Sequence, residues 1–252
     1  MLGKNKIKFI RSLEMKKFRS ESGCFLAEGN KLVSDILPYF DCELLVARTS
    51  WIAAQGNINS RELIEAEGSD IKRASLLKTP QDVLAVFRLP SYNIEMKSLQ
   101  DELSLVIDGV QTPGNLGTIV RIADWFGIRT VVCSPDSADV FSPKTVQATM
   151  GAIARVKVIY TDLPEFLDSF SNTVPVYGAF LEGKNIYREE LTSNGLIVIG
   201  NEGNGIRDEV AKRITNRLHI PSFPPDNETG ESLNVAAATA IICAEYRRRE
   251  IM

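Results

Sequence analysis

From about residue 103 onward short apolar runs recur, most of them separated by segments with helical spacing. The runs are "LSLVIDGV", "RTVVCS", "ARVKVIYT", "VPVYGAF", "GLIVIG" and "RLHIP". Short apolar runs that alternate with helices predict a parallel sheet covered on both faces. An earlier stretch, to about residue 89, carries "CFLAEG", "ELLVAR" and "DVLAVFRLP" with helical segments such as "NKLVSDILPYF", and reads as a smaller α/β region. The polar, proline-opened "PSYNIEMKSLQDE" lies between them and has the composition of a linker. The expected division is 1–89, a linker at 90–102, and 103–252.

Three stretches of the second half are more than scaffold. "VIGNEGNGI" stops an apolar strand on three glycines, which lose the most backbone entropy on folding and so need a reason: a tight turn, or a ligand against bare backbone. "DGVQTPGNLGTIVRIADWFGI" takes a strand ending at Asp108 into a helix expected to start near Leu116. Ile119, Ile122, Ala123 and Phe126 form its buried stripe. Arg121 and Trp125 fall one turn apart on the other side, a pairing that suits an interface. "HIPSFPPDNETGESLNVAAATAIICAEYRRR" runs a proline-rich loop into a helix, with Ser232 as its expected N-cap. Leu233, Ala237, Ala240, Ile241 and Ala244 give that helix a face of mostly small apolar residues. All three loops follow strand C-termini, where open α/β sheets bind ligands. The glycines do not have GxGxxG spacing and no GxxxxGK[ST] occurs, which disfavours Rossmann dehydrogenases, Rossmann-type methyltransferases and P-loop enzymes.

Composition narrows the chemistry. The chain's 252 residues are 44% hydrophobic and 24% charged, an ordinary globular balance, with no run of the roughly 20 apolar residues a membrane span needs. Its four cysteines are scattered and read as free thiols in a reducing compartment, so a cytoplasmic location is expected. The basic start "MLGKNKIKFIRSLEMKKFRS" has no apolar core and does not read as a secretory signal. The single histidine, His219 in "RLHIP", cannot make a zinc site alone and reads as a strand-end residue. Chemistry without metal or imidazole is expected. A net charge of −3 disfavours indiscriminate nucleic-acid binding, yet Lys4, Lys6, Lys8, Arg11, Lys16, Lys17 and Arg19 cluster against one acid, Glu14. That arm either meets a localised anionic partner or is a solvated helix face.

Jointly, the three stretches resemble the SpoU (TrmH) family of RNA ribose 2'-O-methyltransferases, within the SPOUT superfamily. Asn115, Gly117 and Arg121 in "NLGTIVRIADWFG" resemble the family's first motif, "VIGNEGNGI" with Glu202 its second, and "HIP…ESLNVAAATA" its third. The order and spacing match over roughly residues 100–250. The N-terminal part, with "GCFLAEGNKLV", resembles the small L30e-like α/β RNA-recognition domain that many members carry. The resemblance implies a SPOUT-type parallel sheet whose C-terminal segment forms a deep trefoil knot, a homodimer, and S-adenosylmethionine as cofactor. It also implies that Gly200, Ile220 and Leu233 line the cofactor pocket, the glycines letting backbone approach the cofactor.

The implied catalytic set is Asn115, Arg121, Glu202, Ser232 and Asn234. Family inference gives activation of the ribose hydroxyl to Arg121, but a guanidinium stays protonated in proteins. Two other roles suit it: gripping the phosphate beside the target ribose, and stabilising the developing alkoxide. Asn115 and Glu202 would orient Arg121 and the ribose; Ser232 and Asn234 would position substrate and close the pocket. Two departures from the family stand out, a lengthened "SFPPDNETGE" loop and Ala236 where another Ser is common. Ribosomal RNA is the favoured substrate, with transfer RNA the alternative. A catalytically silent RNA-binding protein on the same scaffold is the reading from a different class.

Overall fold

The computed structural model describes residues 2–170, 173–224 and 232–251. Its chain divides into two compact units, Met1–Ser91 with Asp139–Ala154, and Tyr92–Ala138 with Arg155–Met252.

The first unit is built on a four-stranded sheet of β1 (Cys24–Glu28), β2 (Cys42–Ala47), β3 (Leu63–Glu65) and β4 (Val83–Arg88), in the order β1-β4-β2-β3. β4 runs antiparallel to both of its neighbours, and only β2 and β3 are parallel. β3 had no sequence signal, since it is three residues long and its Leu63 is exposed. Every residue of β1 is buried, Glu28 included. Burial pushes the Glu28 carboxyl up, and hydrogen bonds from Ser75 Oγ and the Leu76 amide pull it back. Residues 139–154, which the sequence grouped with the second half, cluster with this unit. Phe141 lies 4.9 Å from the Phe25 ring, and Ser142 caps the helix Pro143–Thr149.

Two helices, Lys4–Ser12 and Lys16–Ser22, carry the basic N-terminal stretch. Arg19 does not belong to a basic surface. It is 3% exposed, donates to the Leu13 and Glu14 carbonyls at 2.7 and 2.8 Å, and pairs with Asp139 at 2.6 Å. A guanidinium can cap two carbonyls and a carboxylate at once, and here it closes the turn between the helices. Arg11 is likewise committed, donating to the Ser75 carbonyl. Lys4, Lys8 and Lys16 remain exposed, with no ion pair among the described residues.

The second unit contains the sheet that the sequence pattern predicted. Its strands are β5 (Leu103–Ile107), β6 (Thr130–Cys133), β7 (Lys157–Tyr160), β8 (Val176–Asn185), β9 (Gly195–Ile199) and β10 (Asn216–His219). They are all parallel, in the order β10-β8-β9-β5-β6-β7. The central strands β5 and β9 are buried at every position, as a strand covered on both faces must be. Leu99, on a helix at Met96–Asp101 within the expected linker, joins Val106, Val132, Phe166, Phe170 and Val198 in the core on one face.

The last helix, Val235–Ile251, packs against the helix Pro113–Trp125. Its buried face is distinct from the small-residue face that the sequence shows. Val235, Ala236, Thr239, Ile242, Cys243 and Tyr246 point inward, whereas Ala237 and Ala244 are exposed and Leu233 before the helix is 52% exposed. The small residues face out because the branched and aromatic ones bury more area. The helix Pro113–Trp125 starts a turn earlier than expected, with Pro113 in its first turn, where a missing N–H costs nothing. Leu116, Gly117, Ile119, Val120 and Ala123 are its buried positions; Ile122 and Phe126 are only half-buried.

Candidate active site

Because the six strands of the second unit run the same way, the residues just past them lie along one edge: Asp108, Ser134, Gly200 and Ile220. The glycine loop folds on itself there. Asn201 and Gly205 form a two-way backbone bridge, with N–H to carbonyl distances of 2.9 and 3.1 Å. The Asn201 side-chain oxygen accepts from the amides of Gly203 and Asn204 at 2.9 and 3.1 Å, and its Nδ2 donates to the Gly109 carbonyl at 2.6 Å. A Cβ at Gly200 would lie 2.3 Å from the Gly205 carbonyl carbon, and Gly205 has φ +69°. The returning chain therefore requires glycine at both positions. The tight turn accounts for these two, while Gly203, whose Cβ would meet nothing closer than 3.7 Å, is left to another purpose.

One side-chain relay joins this loop to the other two motifs. Asn234 is the last residue before the final helix, and its Oδ1 accepts from the amides of Ala236 and Ala237 at 3.0 and 3.3 Å. Asn234, rather than Ser232, is thus the helix cap. Backbone amides can only donate, so the Asn234 Nδ2 is left to donate to Asn115 Oδ1 at 3.2 Å. That in turn leaves Asn115 Nδ2 to donate to Glu202 Oε1 at 2.9 Å. Amides at one end and a carboxylate at the other fix the direction of the whole relay. Glu202 Oε1 also accepts from the Thr112 amide at 3.4 Å. Burial would raise the Glu202 carboxyl, but the hydrogen bond from Asn115 and those from nearby amides outweigh it and hold it below the usual range.

Asn115, Glu202 and Asn234 are thereby brought together from three separate stretches. Arg121 is not part of the relay. It is exposed on the stripe Gly114, Thr118, Arg121, Trp125, and among the described residues its guanidinium has no hydrogen bond or ion pair. Trp125 is 84% exposed. Ser232 and Leu233 are exposed ahead of the cap, and Ile220 is half-buried after β10. His219 ends β10, as its strand-end reading expected. The four cysteines are free and buried, and burial pushes the Cys42 and Cys243 thiols up to about 12, so neither is a ready nucleophile. Among the described residues no cluster of His, Cys, Asp and Glu could hold a metal ion, and no helix is long and apolar enough to cross a membrane.

Sequence reasoning did not single out Asn201, Asp108 or Arg207 for a role, although the loop depends on them. Asp108 had a signal, a carboxylate directly after a buried strand of four apolar residues and Ser104.

A family model described as the SpoU rRNA Methylase family matches residues 102–244, more than half of the chain. The chain belongs to the SpoU rRNA methylase family. The relay residues, Arg121 and Ser232 all fall within the matched span. An MRM3-like substrate binding domain matches residues 4–85. Among curated relatives, the 23S rRNA (guanosine(2553)-2'-O)-methyltransferase RlmP of Bacillus subtilis is 33% identical over 96% of both chains. A structure from Porphyromonas gingivalis, assigned to the TrmH family of RNA methyltransferases, is 46% identical over 99% of both chains, with a TM-score of 0.89. An AdoMet-bound rRNA methyltransferase from Sinorhizobium meliloti is 29% identical over 99% of this chain and 96% of its own, with a TM-score of 0.85.

Proposed function

We propose that this SpoU-family chain transfers the methyl group of S-adenosylmethionine to a ribose 2'-hydroxyl of ribosomal RNA. The observation that carries the reading is the directed relay Asn234–Asn115–Glu202, which ties the three family motifs together at the ligand-binding edge of the sheet. The similar rRNA methyltransferases, one of them AdoMet-bound, supply substrate class and cofactor.

The residues present fit the cofactor. Gly203 and Asn204 are exposed, and a Cβ at Gly203 would meet only Asn201 Oδ1 at 3.7 Å, so a flat ligand can lie on bare backbone. Leu233, 52% exposed, and Ile220 offer apolar surface for an adenine, with Gly200 shaping the loop beneath. When bound there, S-adenosylmethionine supplies an electrophilic methyl group. The chain's own work is to hold the ribose oxygen in line with it and stabilise the charge that develops. Glu202, kept ionised, orients the Asn115 amide, and Asn234 holds that amide from behind while capping the last helix. Arg121 offers an unengaged planar fork to a phosphate oxygen and to the ribose oxygen. Ser232 lies just ahead of the cap, where it can position substrate.

We further propose the rest of the family architecture. The C-terminal segment of the parallel-sheet unit forms the trefoil knot, and the chain acts in the cytoplasm as a homodimer. The outward small face of the last helix and the exposed Trp125 support the dimer. On an α-helix, residues 115 and 121 are about 120° apart around the axis and about 9 Å apart along it. Arg121 therefore shares the Trp125 face rather than the Asn115 face, and a dimer on that face completes the site at the subunit boundary. The expected domains are a recognition domain over 1–89, a linker over 90–102 and a catalytic domain over 103–252.

The test has two parts. Calorimetry with a chelator present should show S-adenosylmethionine binding without metal. Mapping 2'-O-methyl marks in a strain lacking the protein should reveal one lost ribosomal position, restored by the wild-type chain and not by Glu202→Gln. Intact marks throughout, or no cofactor binding, would overturn the reading.

A further inference from the structure

Asp108 directly follows β5 with its carboxylate fully buried, a costly place for a charge. Its partner is Arg207, immediately past the glycine loop. Asp108 Oδ2 accepts from the Arg207 amide at 2.8 Å, and Oδ1 accepts from Nε at 2.7 Å and meets NH2 at 2.6 Å. The guanidinium also reaches Asp136 at 3.7 Å and Glu209 at 3.5 Å, and it is 42% exposed. The next residue, Gly109, has φ +73° and offers its carbonyl to Asn201 at 2.6 Å, while its amide donates to the buried Ser134 hydroxyl at 2.9 Å.

Two consecutive residues at the end of β5 therefore hold both arms of the glycine loop. Gly109 holds the outgoing arm at Asn201, and Asp108 holds the returning arm at Arg207. Between them the only residue with a side chain on the relay is Glu202. A buried ion pair adds little to stability compared with well-packed apolar groups, but it fixes geometry, because a displaced charge would be left unpaired. An apolar residue at 108 would leave the Arg207 amide without its acceptor and the guanidinium with only the longer contacts to Asp136 and Glu209, and the returning arm unanchored.

We infer that Asp108 is a positioning residue for the methyl-transfer site. Through Arg207 it sets the closing arm of the glycine loop, and so the position of Glu202 and of the backbone offered to the cofactor. The inference rests on the proposed site, and its test separates the two. Asp108→Asn keeps an acceptor for the Arg207 amide but removes the charge, and Arg207→Lys keeps the charge but removes the fork. Because Arg207 is part-exposed, the second variant folds even if the first does not. Each is compared with wild type by hydrogen exchange of the amides of residues 203–207, by S-adenosylmethionine calorimetry, and by single-turnover methylation of ribosomal RNA.

The expected result is faster exchange in the loop, cofactor binding weakened about tenfold, and a turnover rate at saturating cofactor lowered by a similar factor. Combining Asp108→Asn with Glu202→Gln should cost less than the product of the two single effects, since both act through one carboxylate. Loop exchange that stays at the wild-type rate in both variants overturns the inference. So does a loosened loop with unchanged affinity and rate, which would make the pair merely structural. A wild-type chain that binds no S-adenosylmethionine overturns the proposed function, whereas the exchange comparison still reads the clamp.

Discussion

Replacing Gly200 and Gly203 one at a time separates the two purposes a glycine loop can serve. A Cβ at Gly200 would sit 2.3 Å from the Gly205 carbonyl carbon, 2.4 Å from the Ile206 nitrogen and 2.6 Å from the Gly205 oxygen. All three are backbone atoms, so no side chain can swing away, and the returning arm must retreat by about 1 Å to reach ordinary contact. That retreat breaks the paired bonds between Asn201 and Gly205, each worth about 0.5–1.5 kcal/mol net. Gly200→Ala should therefore cost about 1–3 kcal/mol, offset by about 0.4–1 kcal/mol from a less mobile unfolded chain. For a chain of this size the melting temperature should fall by about 2–8 °C. Gly203→Ala meets nothing closer than 3.7 Å and needs no unusual φ, so its stability should stay within about 0.5 kcal/mol of wild type. If Gly203 exposes backbone for a ligand, that variant should instead lose S-adenosylmethionine affinity. Thermal melts and calorimetry on both variants read these outcomes. A Gly200→Ala chain that melts with wild type would refute the steric reasoning, and a Gly203→Ala chain that binds cofactor normally would refute the ligand purpose.

Arg121→Ala should abolish most methyl transfer and leave cofactor affinity nearly intact; Arg121→Lys should be almost as poor if the planar fork matters, as read by single-turnover rates with RNA saturating. Lys4, Lys8 and Lys16 changed together to Glu should weaken RNA binding and flatten its salt dependence by about 0.7–0.9 per lost phosphate contact, without altering cofactor affinity; an unchanged slope would make these lysines a solvated face. Trp125→Glu should convert a dimer into a 27.9 kDa monomer in sedimentation at micromolar concentration, and a wild-type chain that is already monomeric and active would remove the dimer. Glu245, which bonds Arg248 and then Arg249, is pulled down to about 2, below its ordinary 4.5. Its folded value is depressed, so its contribution is present above about pH 4.5 and is lost as pH falls toward about 2. The gap in melting temperature between wild type and Glu245→Gln should narrow over that window, and a gap independent of pH would contradict the assignment.

The parallel sheet was legible because its strands are short, apolar on both faces and spaced by helices, a pattern with few other solutions. β3 was not, since three residues with an exposed leucine carry no periodicity. Which face of the last helix the monomer buries was not legible, for a physical reason. Both of its sides are apolar, and composition cannot say which one the monomer buries; area decides, and Ile242, Cys243 and Tyr246 outweigh Ala237 and Ala244. Arg19 shows the same limit in a charged residue. Counted with the basic arm by sequence, it is consumed by two carbonyls and Asp139, contacts that no local pattern encodes.

The site was legible as residue types and opaque as a connection. Nothing in "NLG", "NEG" or "SLNV" says that Asn234 caps its helix with one end and holds Asn115 with the other. That follows only once the last helix starts at Val235, because its first amides then claim the Asn234 oxygen. The consequence is a division of labour between two kinds of polar residue. Asn115, Glu202 and Asn234 spend their hydrogen bonds on one another and on neighbouring groups of the protein, so their geometry is set before any ligand arrives. Arg121, on an exposed helix face, has its five donors unspent among the described residues. In the proposed methyl-transfer site, that arrangement would let the relay fix where the reacting atoms meet while Arg121 follows the phosphate.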